Sequence, residues 1–378
     1  MKFLLAPDSF KESLSAKDAA DAMEKGLKKT FPHGEYIKVP MADGGEGTTQ
    51  SLVDATKGEM YYPEVLNPLG KKVKAKLGIL GNGDIAVIEM ASASGLELIN
   101  KKDRNPLKTT TYGTGQLLKA ALDRNVSTII IGIGGSATND GGAGMVQALG
   151  GKLLDKNGEQ IGFGGGTLKD LEKIDLSELD PRIKNTKIEV ACDVNNPLTG
   201  KLGASHIFGP QKGASPEMVL QLDEYLGHYA TIIKKDLNKD IGSIPGAGAA
   251  GGLGAGLMAF LDGKLSPGID IVIRYTNIED QMAGVDFVIT GEGSIDSQTR
   301  FGKTPYGVAK VAKKFDIPVI AIAGSLGDDI DILYDYGFDV FLSIMQGVSD
   351  LDDALENGAK NIERTCENIG RLIRTSRN

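Results

Sequence analysis

The chain has 378 residues, which favours two domains because a single hydrophobic core stops growing at roughly 250–300 residues. Its net charge of −8 argues against nucleic acid or an anionic membrane as the main partner, since both attract a basic face. Two cysteines far apart, no run of about 18 apolar residues and no signal-peptide pattern predict a cytoplasmic protein without a disulfide framework.

The chain opens with a β-α-β-α pattern. A strand over 2–6 ends in a Pro-Asp-Ser turn, a helix follows over about 15–30, and Ser15 is suited to cap its N-terminus. A second strand over 36–39 leads into a glycine-rich loop, and another helix begins near Thr48. Short apolar strands that alternate with helices predict a parallel sheet covered by helices.

The middle of the chain is patterned differently. Segments 69–80 and 85–90 are spaced like antiparallel strands around Gly81-Asn82-Gly83. Residues 246–256 are almost all small, which indicates a close-packed segment or a hinge. The other elements predicted here are a helix over 115–123, a buried strand over 128–133, a hairpin over 152–160, a strand over 187–191 and a helix over 216–238.

The C-terminal segment returns to the alternating pattern. A strand over 287–290 ends in the loop GEGSIDSQT, and Pro305 suits the first turn of the next helix. The elements predicted after that loop are a helix over 306–315, strands over 318–323 and 340–344, and a closing helix over 351–375.

This change of pattern predicts an α/β fold with two domains. Residues 1–65 plus 285–378 are expected to form a discontinuous, Rossmann-like domain with a parallel sheet. Residues 66–284 are expected to form a second α/β domain, with a mixed sheet, inserted into the first. Because ligands on open parallel sheets bind at the carboxyl ends of the strands, we expect the active site in the cleft between the domains.

The segment GIGGSATNDGGAG at 132–144 follows a buried strand and opens a helix. Glycines let a backbone approach a phosphate closely, and a helix N-terminus offers unpaired N–H donors. The alternative is a tight turn whose glycines serve packing. So many glycyl and small polar residues favour phosphate or substrate contact, and the candidate residues are Gly134, Gly135, Ser136, Thr138 and Asn139.

Acidic residues follow both of the first two strands. Asp8, Ser9 and Lys11 come directly after the first strand, and Asp43 and Glu46 lie in the loop after the second. A lysine can meet phosphate oxygens, and an aspartate can hold magnesium or orient a hydroxyl. The alternative is that Asp8 caps a turn and Lys11 is solvated, but two neighbouring strand ends that carry acids favour the functional interpretation.

Glu292 and Asp296 flank a glycine-rich turn, and Lys303 follows just before a predicted helix. Such a group suits a magnesium–phosphate site, although a charged, solvated loop is the alternative. Gly302-Lys303-Thr304 looks like the end of a P-loop. However, Ser297 stands where the leading glycine should be, which excludes an ordinary P-loop.

Asp193 follows an otherwise apolar strand in the sequence Ala-Cys-Asp-Val. It is a candidate to accept the proton of a substrate hydroxyl. It could equally cap the turn Asn195-Asn196-Pro197, and the sequence does not separate the two roles. The three histidines lie in unrelated contexts, so we predict no histidine-based metal site or triad.

Taken in order, these loops resemble those of the bacterial type I glycerate kinases. So many long matches in one order, over nearly the whole chain, are far more specific than a single glycine motif. One position departs from the family pattern, because Asn195 stands where Asp is expected. The matching stretches are APDSFKESLSA at 6–16, PMADGGEGT at 40–48, RNPLKTTTYGTGQ at 104–116, IGIGGSATNDGGAGM at 131–145, ACDVNNPLTG at 191–200, FGPQKGA at 208–214 and ITGEGSIDSQTRFGKTP at 289–305.

The resemblance implies ATP-dependent phosphorylation of D-glycerate with Mg²⁺, generally at the 2-hydroxyl to give 2-phosphoglycerate. We hypothesise that the ATP phosphates lie across the glycine-rich loops and Lys303. Mg²⁺ would be held by Glu292 or Asp296, and the glycerate carboxylate would meet Lys11 or Arg104. The candidate catalytic residues are Asp193, which would take the hydroxyl proton late, Lys11 and Asp8.

Two alternatives remain at this level. One is a kinase of another small hydroxy acid or sugar acid, which would use the same loops. The other is a protein that binds a phosphometabolite without turning it over. Carboxylates beside phosphate-type loops argue against the second, because a pure anion binder should avoid them there. The expected partners are glycerate and ATP, and the sequence leaves the oligomeric state open.

Overall fold

A computed structural model describes residues 1–376. Two large sheets and two two-stranded sheets contain its strands, which are β1 (Lys2–Pro7), β2 (Glu35–Lys38), β3 (Glu59–Tyr61), β4 (Glu64–Leu66), β5 (Lys72–Lys74), β6 (Leu77–Ile79), β7 (Ile85–Glu89), β8 (Thr128–Gly132), β9 (Lys152–Leu154), β10 (Lys173–Asp175), β11 (Lys187–Ala191), β12 (Lys264–Ser266), β13 (Phe287–Ile295), β14 (Val319–Leu326) and β15 (Val340–Ser343). The α-helices are α1 (Ala16–Lys28), α2 (Thr48–Thr56), α3 (Ala91–Ser94), α4 (Tyr112–Leu122), α5 (Ala143–Ala148), α6 (Ala204–Phe208), α7 (Pro216–Leu237), α8 (Ala249–Leu261), α9 (Gly268–Thr276), α10 (Thr304–Lys313), α11 (Leu351–Glu356) and α12 (Gly358–Ser376).

The chain divides into two compact units. Unit 1 contains Met1–Asp43, Gln50–Lys57 and the described chain from Ile269 onwards, and unit 2 contains Gly44–Thr49 and Gly58–Gly268. These boundaries lie at other residues than the predicted 65 and 285. Strand β3 pairs with β6 of unit 2, and α9 packs in unit 1 against α10.

Unit 1 is built on a five-stranded parallel sheet in the order β15-β14-β13-β1-β2. Counted in chain order, this is the 2-1-3-4-5 order of doubly wound folds, in which the order reverses between β1 and β13. Helices α1 and α12 pack together on one face, where side chains such as Phe3, Met23, Ile289 and Cys366 form the core. Ser15 caps α1 by accepting a hydrogen bond from the Asp18 N–H, as its position predicts.

Unit 2 is built on a six-stranded mixed sheet in the order β12-β11-β8-β7-β6-β3. Strands β12, β11, β8 and β7 are parallel, whereas β6 and β3 are antiparallel to their neighbours. Strand β8 is buried along its whole length, which its continuous apolar sequence predicts. The α/β class, with one parallel sheet and a separate mixed sheet, confirms the fold class predicted from the sequence.

Several predicted elements take other partners or bounds. The single strand predicted over 69–80 is wrong, because it is divided between β5, which pairs with β4, and β6, which pairs with β7. The segment 152–160 folds back on itself as predicted, with a bridge between Leu154 and Gln160 and a hydrogen bond from the Asp155 N–H to the Glu159 carbonyl at 2.8 Å, and β9 in addition pairs with β10. The closing helix predicted over 351–375 is divided into two helices, α11 and α12.

The small-residue stretch at 246–256 is close-packed. A Cβ added at Gly251, where φ is +69°, would lie 2.0 Å from the Thr138 carbonyl oxygen, and the Gly251 carbonyl accepts the Gly141 N–H at 3.0 Å. The start of α8 therefore approaches the loop after β8 backbone to backbone. Within residues 1–376, none of the helices is long and apolar enough to cross a membrane.

Candidate active site

Three carboxylates lie where the strand order of unit 1 reverses. Asp8 follows β1, Asp43 follows β2 and Glu292 belongs to β13, so all three lie at the carboxyl ends of neighbouring parallel strands. This edge is where open α/β sheets bind their ligands. We call Asp8, Asp43 and Glu292 the acid cluster.

Asp8 is held in place by the elements around it. Its main-chain N–H donates to the Gly291 carbonyl at 2.8 Å, which fixes the turn after β1 to β13. Its carboxylate accepts the Ser9 N–H at 2.6 Å and the Thr304 hydroxyl at the first turn of α10. The carboxylate therefore has a fixed direction before any ligand arrives.

Glu292 lies beside a lysine that begins the next helix. Lys303 Nζ is 3.5 Å from Glu292 Oε1 and donates to the Ser294 carbonyl at 3.2 Å. Thr299 Oγ1 lies 3.4 Å from the same glutamate oxygen. These contacts place the Lys303 ammonium group next to Glu292 rather than in bulk solvent.

Two carboxylates of the acid cluster, Asp8 and Glu292, have raised pKa values. Burial and the nearby Asp43 raise the pKa of Asp8 from 3.8 to about 6. Burial raises the pKa of Glu292 from 4.5 to about 7, and Asp8 and Asp43 add to this rise although Lys303 opposes it. Carboxylate oxygens are chemically suited to a hard divalent cation.

The predicted metal ligand Asp296 has a capping role in the fold. Its Oδ1 accepts the Gln298 N–H at 2.8 Å, so Asp296 caps the 3₁₀ turn Ser297–Phe301. Lys11 is exposed, and its main-chain nitrogen lies beside Gly293, next to Glu292. In the described part of the chain, no three acidic, histidine or cysteine side chains are grouped so that they could hold a metal ion by themselves.

In the glycine-rich loop after β8, residues 132–144, only two of the five candidate residues are exposed to solvent. Gly134 and Gly135 are exposed, whereas Ser136 is 5 % exposed and Thr138 and Asn139 are fully buried. Asn139 Nδ2 donates to Ser205 Oγ at 3.0 Å in the interior. Of the five residues predicted to contact a ligand, the structure therefore presents two on the surface.

The helix that follows this loop is short, and a side chain of the loop itself lies at its start. Asp140 accepts the N–H groups of Gly142 at 3.2 Å and Gly144 at 3.3 Å. It also accepts the main-chain N–H and the hydroxyl of Thr111, at 2.8 and 2.9 Å. The donors that the sequence assigned to a phosphate are thus satisfied by a buried carboxylate.

Sequence reasoning missed both Asp140 and Lys212. Each is a charged residue that is at most 1 % exposed, and Lys212 Nζ donates to the Thr138 carbonyl at 2.7 Å. A lysine between two glycines in Gly-Pro-Gln-Lys-Gly gave no periodic signal of burial. An acid inside a glycine-rich, supposedly phosphate-binding segment was the available signal for Asp140.

Arg104 lies in unit 2 and has an unpaired donor. Its Nη1 donates to the Gln211 carbonyl at 3.1 Å. Its Nε is buried and has no hydrogen-bond partner in the described structure. Buried N–H groups are nearly always paired, so a ligand oxygen is a chemically suitable partner for it.

Asp193 lies at the carboxyl end of β11 and is exposed. Its Oδ1 accepts the Gly268 N–H at 3.0 Å, at the start of α9. This contact ties the end of β11 to the segment after β12, and the two roles predicted for Asp193, proton acceptor and cap of the turn at 195–197, stay predictions. The preceding Cys192 is half-buried, and burial raises the pKa of its thiol.

The structure thus gathers the predicted site residues into two groups. Those of unit 1 are Asp8, Ser9, Lys11, Glu292, Asp296 and Lys303. Those of unit 2 are Arg104, Gly134, Gly135, Ser136, Thr138, Asn139 and Asp193.

Comparison with known proteins gives consistent matches over the whole chain. The family model described as the glycerate kinase family matches residues 3–374. A glycerate kinase of Halalkalibacterium halodurans is 56% identical over 97% of this chain and 96% of its own. A glycerate 2-kinase of Escherichia coli is 56% identical over 99% of this chain and 98% of its own. The crystal structure of a Salmonella typhimurium LT2 protein, described as a glycerate kinase 2, superposes with a TM-score of 0.92 at 50% identity, covering 100% of this chain and 99% of that one.

The raised pKa values of Asp8 and Glu292 predict how stability depends on pH. Between about pH 4 and 7 the folded protein keeps protons on Asp8 and Glu292 that the unfolded chain has released, so stability falls as pH rises through this window. We expect Glu292→Gln to stabilise unit 1 by roughly 1–3 kcal/mol at pH 8, with the gain vanishing near pH 4. Thermal unfolding across this pH range measures the effect.

The matched control is Glu356→Gln, which removes an exposed glutamate of the same unit. It should leave the pH dependence of the wild type unchanged. A Glu292→Gln protein that loses stability between pH 4 and 8 as steeply as the wild type would contradict the assignment.

Proposed function

The chain belongs to the glycerate kinase family, and on that premise we propose that it transfers the γ-phosphoryl group of ATP to the 2-hydroxyl of D-glycerate. The product is 2-phosphoglycerate, as the name of the Escherichia coli relative suggests. The observation that carries the proposal is the acid cluster beside Lys303, at the reversal of strand order in unit 1. Kinases need such a set of groups to hold phosphates and their counter-ion.

The phosphates of ATP are assigned to Lys303 and the acid cluster. The Lys303 ammonium, next to Glu292, supplies positive charge at the first turn of α10. The magnesium ion that kinases typically use fits Asp8 and Glu292, because Mg²⁺ is usually held by one or two carboxylates together with waters and phosphate oxygens. When bound, the ion would neutralise the phosphate oxygens and orient the transferred group. Asp296, whose Oδ1 caps a turn, is the less suited of the two ligands predicted from the sequence.

The carboxylate of glycerate is assigned to Arg104. Its Nη1 is fixed by the Gln211 carbonyl, and its orphaned Nε can form, together with Nη2, the fork that suits a carboxylate. Lys11 is the other cation considered, but it is exposed and belongs to the unit that holds the acid cluster. The acid cluster would repel an anionic substrate bound to Lys11. Arg104 belongs to unit 2, which does not contain the acid cluster, so it is the better partner.

The proton of the 2-hydroxyl is assigned to Asp193. The Gly268 N–H fixes the orientation of its carboxylate, and a general base must be held within hydrogen-bond reach of the proton it takes. Phosphoryl transfer depends on positioning and charge neutralisation more than on a strong base, so an exposed aspartate suffices. Asp8, whose carboxylate accepts hydrogen bonds from Ser9 and Thr304, is assigned to the magnesium ion and the ATP phosphates instead.

The glycine-rich loop is assigned to ATP through its exposed part. The main chain at Gly134 and Gly135 can approach phosphate oxygens without side-chain interference, and a Cβ added at Gly134 would contact nothing within 4 Å. Contacts of Ser136, Thr138 and Asn139 with a ligand stay predictions, as does the cytoplasmic location.

A coupled assay with D-glycerate, ATP and Mg²⁺ tests the proposed activity. We expect ADP release only when D-glycerate is present, and a product whose proton-coupled ³¹P signal is a doublet, because the phosphate of 2-phosphoglycerate is carried on a CH group. A triplet would assign the reaction to the primary hydroxyl. A panel of other hydroxy acids and sugar acids controls for substrate class, and no turnover with any of them would exclude a kinase.

Arg104→Met should raise the KM for glycerate by about ten- to a hundredfold, because it removes a charge-assisted hydrogen-bond pair to the substrate carboxylate. The KM for ATP should stay within about threefold of the wild type. Steady-state kinetics with each substrate varied in turn measures both values. Arg182→Met is the matched control, since Arg182 pairs with Asp180 and Asp123 elsewhere in the same unit. An unchanged KM for glycerate in Arg104→Met would refute the assignment.

Asp193→Asn should lower kcat by about a hundredfold or more while both KM values change little, because the amide cannot accept the hydroxyl proton. The amide oxygen can still accept the Gly268 N–H, so the local fold is kept. Thermal unfolding of the variant checks this. Turnover like that of the wild type would remove Asp193 from the mechanism.

A further inference from the structure

Lys212 is buried beneath the glycine-rich loop. It ends the 3₁₀ turn Pro210–Lys212 and is 1 % exposed. Its Nζ donates to the Thr138 carbonyl oxygen at 2.7 Å, a contact that joins two segments 74 residues apart in sequence. None of the steps assigned above uses this side chain.

An ammonium group in this position is costly. Burial lowers the pKa of Lys212 to about 7, and only the attraction of Asp140 opposes that fall. Arg104, which donates to the neighbouring Gln211 carbonyl, adds a second positive charge to the same segment. An apolar side chain of similar length would pack there without the desolvation penalty. A structural filler would therefore not need to be a lysine.

The contact has a defined effect on the loop. Thr109 Oγ1 donates to the Ala137 carbonyl at 2.7 Å, and Lys212 donates to the next carbonyl, that of Thr138. Two successive peptide groups are thus held from the interior. The exposed turn at Gly134 and Gly135 continues directly into this fixed stretch, and the Gly135 carbonyl itself accepts the Leu96 N–H at 3.0 Å. The two interior donors therefore fix the turn from one side and Leu96 from the other.

We propose that Lys212 is a positioning residue for phosphoryl transfer: it fixes the Thr138 carbonyl and thereby orients the exposed Gly134–Gly135 main chain towards the phosphates of ATP. The inference rests on the proposed function, in which this loop contacts ATP. Lys212 does not touch the substrate itself, because the loop covers it.

Lys212→Met tests the proposal, since it keeps the length of the side chain and removes the donor. We expect the KM for ATP to rise about tenfold or more and kcat to stay within about threefold, at a temperature below the unfolding transition of the variant. Lys239→Met is the matched control. Lys239 also donates to a backbone carbonyl of unit 2, that of Ala259 at 2.7 Å, but lies away from the glycine-rich loop. It should leave both kinetic constants unchanged.

Gly134→Ala separates the possible failures, because a Cβ there meets no protein atom but would obstruct a phosphate. No kinase activity in the wild type would refute the proposed function itself. An unchanged KM for ATP in Gly134→Ala would refute the premise that the loop contacts ATP, and the role of Lys212 with it. Gly134→Ala could instead show a raised KM for ATP while Lys212→Met keeps a normal one. That result would overturn the role of Lys212 alone, whatever the melting temperature of the Lys212→Met protein. If Lys212→Met does not fold, Lys212→Leu, which also lacks a donor, takes its place, and a normal KM for ATP in that variant also overturns the proposal.

Discussion

The buried carboxylate of Asp140 is the interaction on which the arrangement of unit 2 depends. Four hydrogen bonds from Thr111, Gly142 and Gly144 converge on it, and Lys212 supplies the opposite charge. Burial raises its pKa, while the same hydrogen bonds favour the charged form. Because one carboxylate ties the loop after β8 to the segment before α4 and to the start of α5, none of these segments can move independently. The exposed glycines lie on a fixed base.

The two units differ in the charge that they present near their strand ends. In unit 1, burial raises the pKa of Asp8 and of Glu292, and neighbouring carboxylates add to both rises, while Lys303 opposes that of Glu292. In unit 2, the polar groups around the glycine-rich loop include a buried lysine and an arginine with an unpaired N–H. A net charge of −8 averages over these differences. The net charge argued against nucleic acid as a partner. It could not show that one unit has a group of carboxylates and the other a group of basic side chains.

Elements defined by local sequence could be predicted, whereas those defined by distant partners could not. Ser15 as a helix cap and the buried strand β8 follow from residues close in sequence, and the structure has both. The segment 69–80 was predicted as one strand. Its two halves pair with different partners, β4 and β7, and local sequence does not show where the pairing changes. The acid-bearing loops were found from the sequence, yet the roles within them were not. Only the fold shows that Asp140 satisfies the helix N-terminus that a phosphate was expected to meet.

Strand β13 is longer than its sequence suggested, and this has a consequence for how the protein can vary. The segment read as the loop GEGSIDSQT continues the strand as far as Ile295, paired in register with β14. Glu292 is therefore set by the pleat, in which successive side chains point to opposite faces. An insertion or deletion of one residue within β13 would exchange those faces and move the carboxylate to the wrong side of the sheet. Evolution can lengthen the turn after Ile295, but upstream of it the strand permits only replacement of one residue by another.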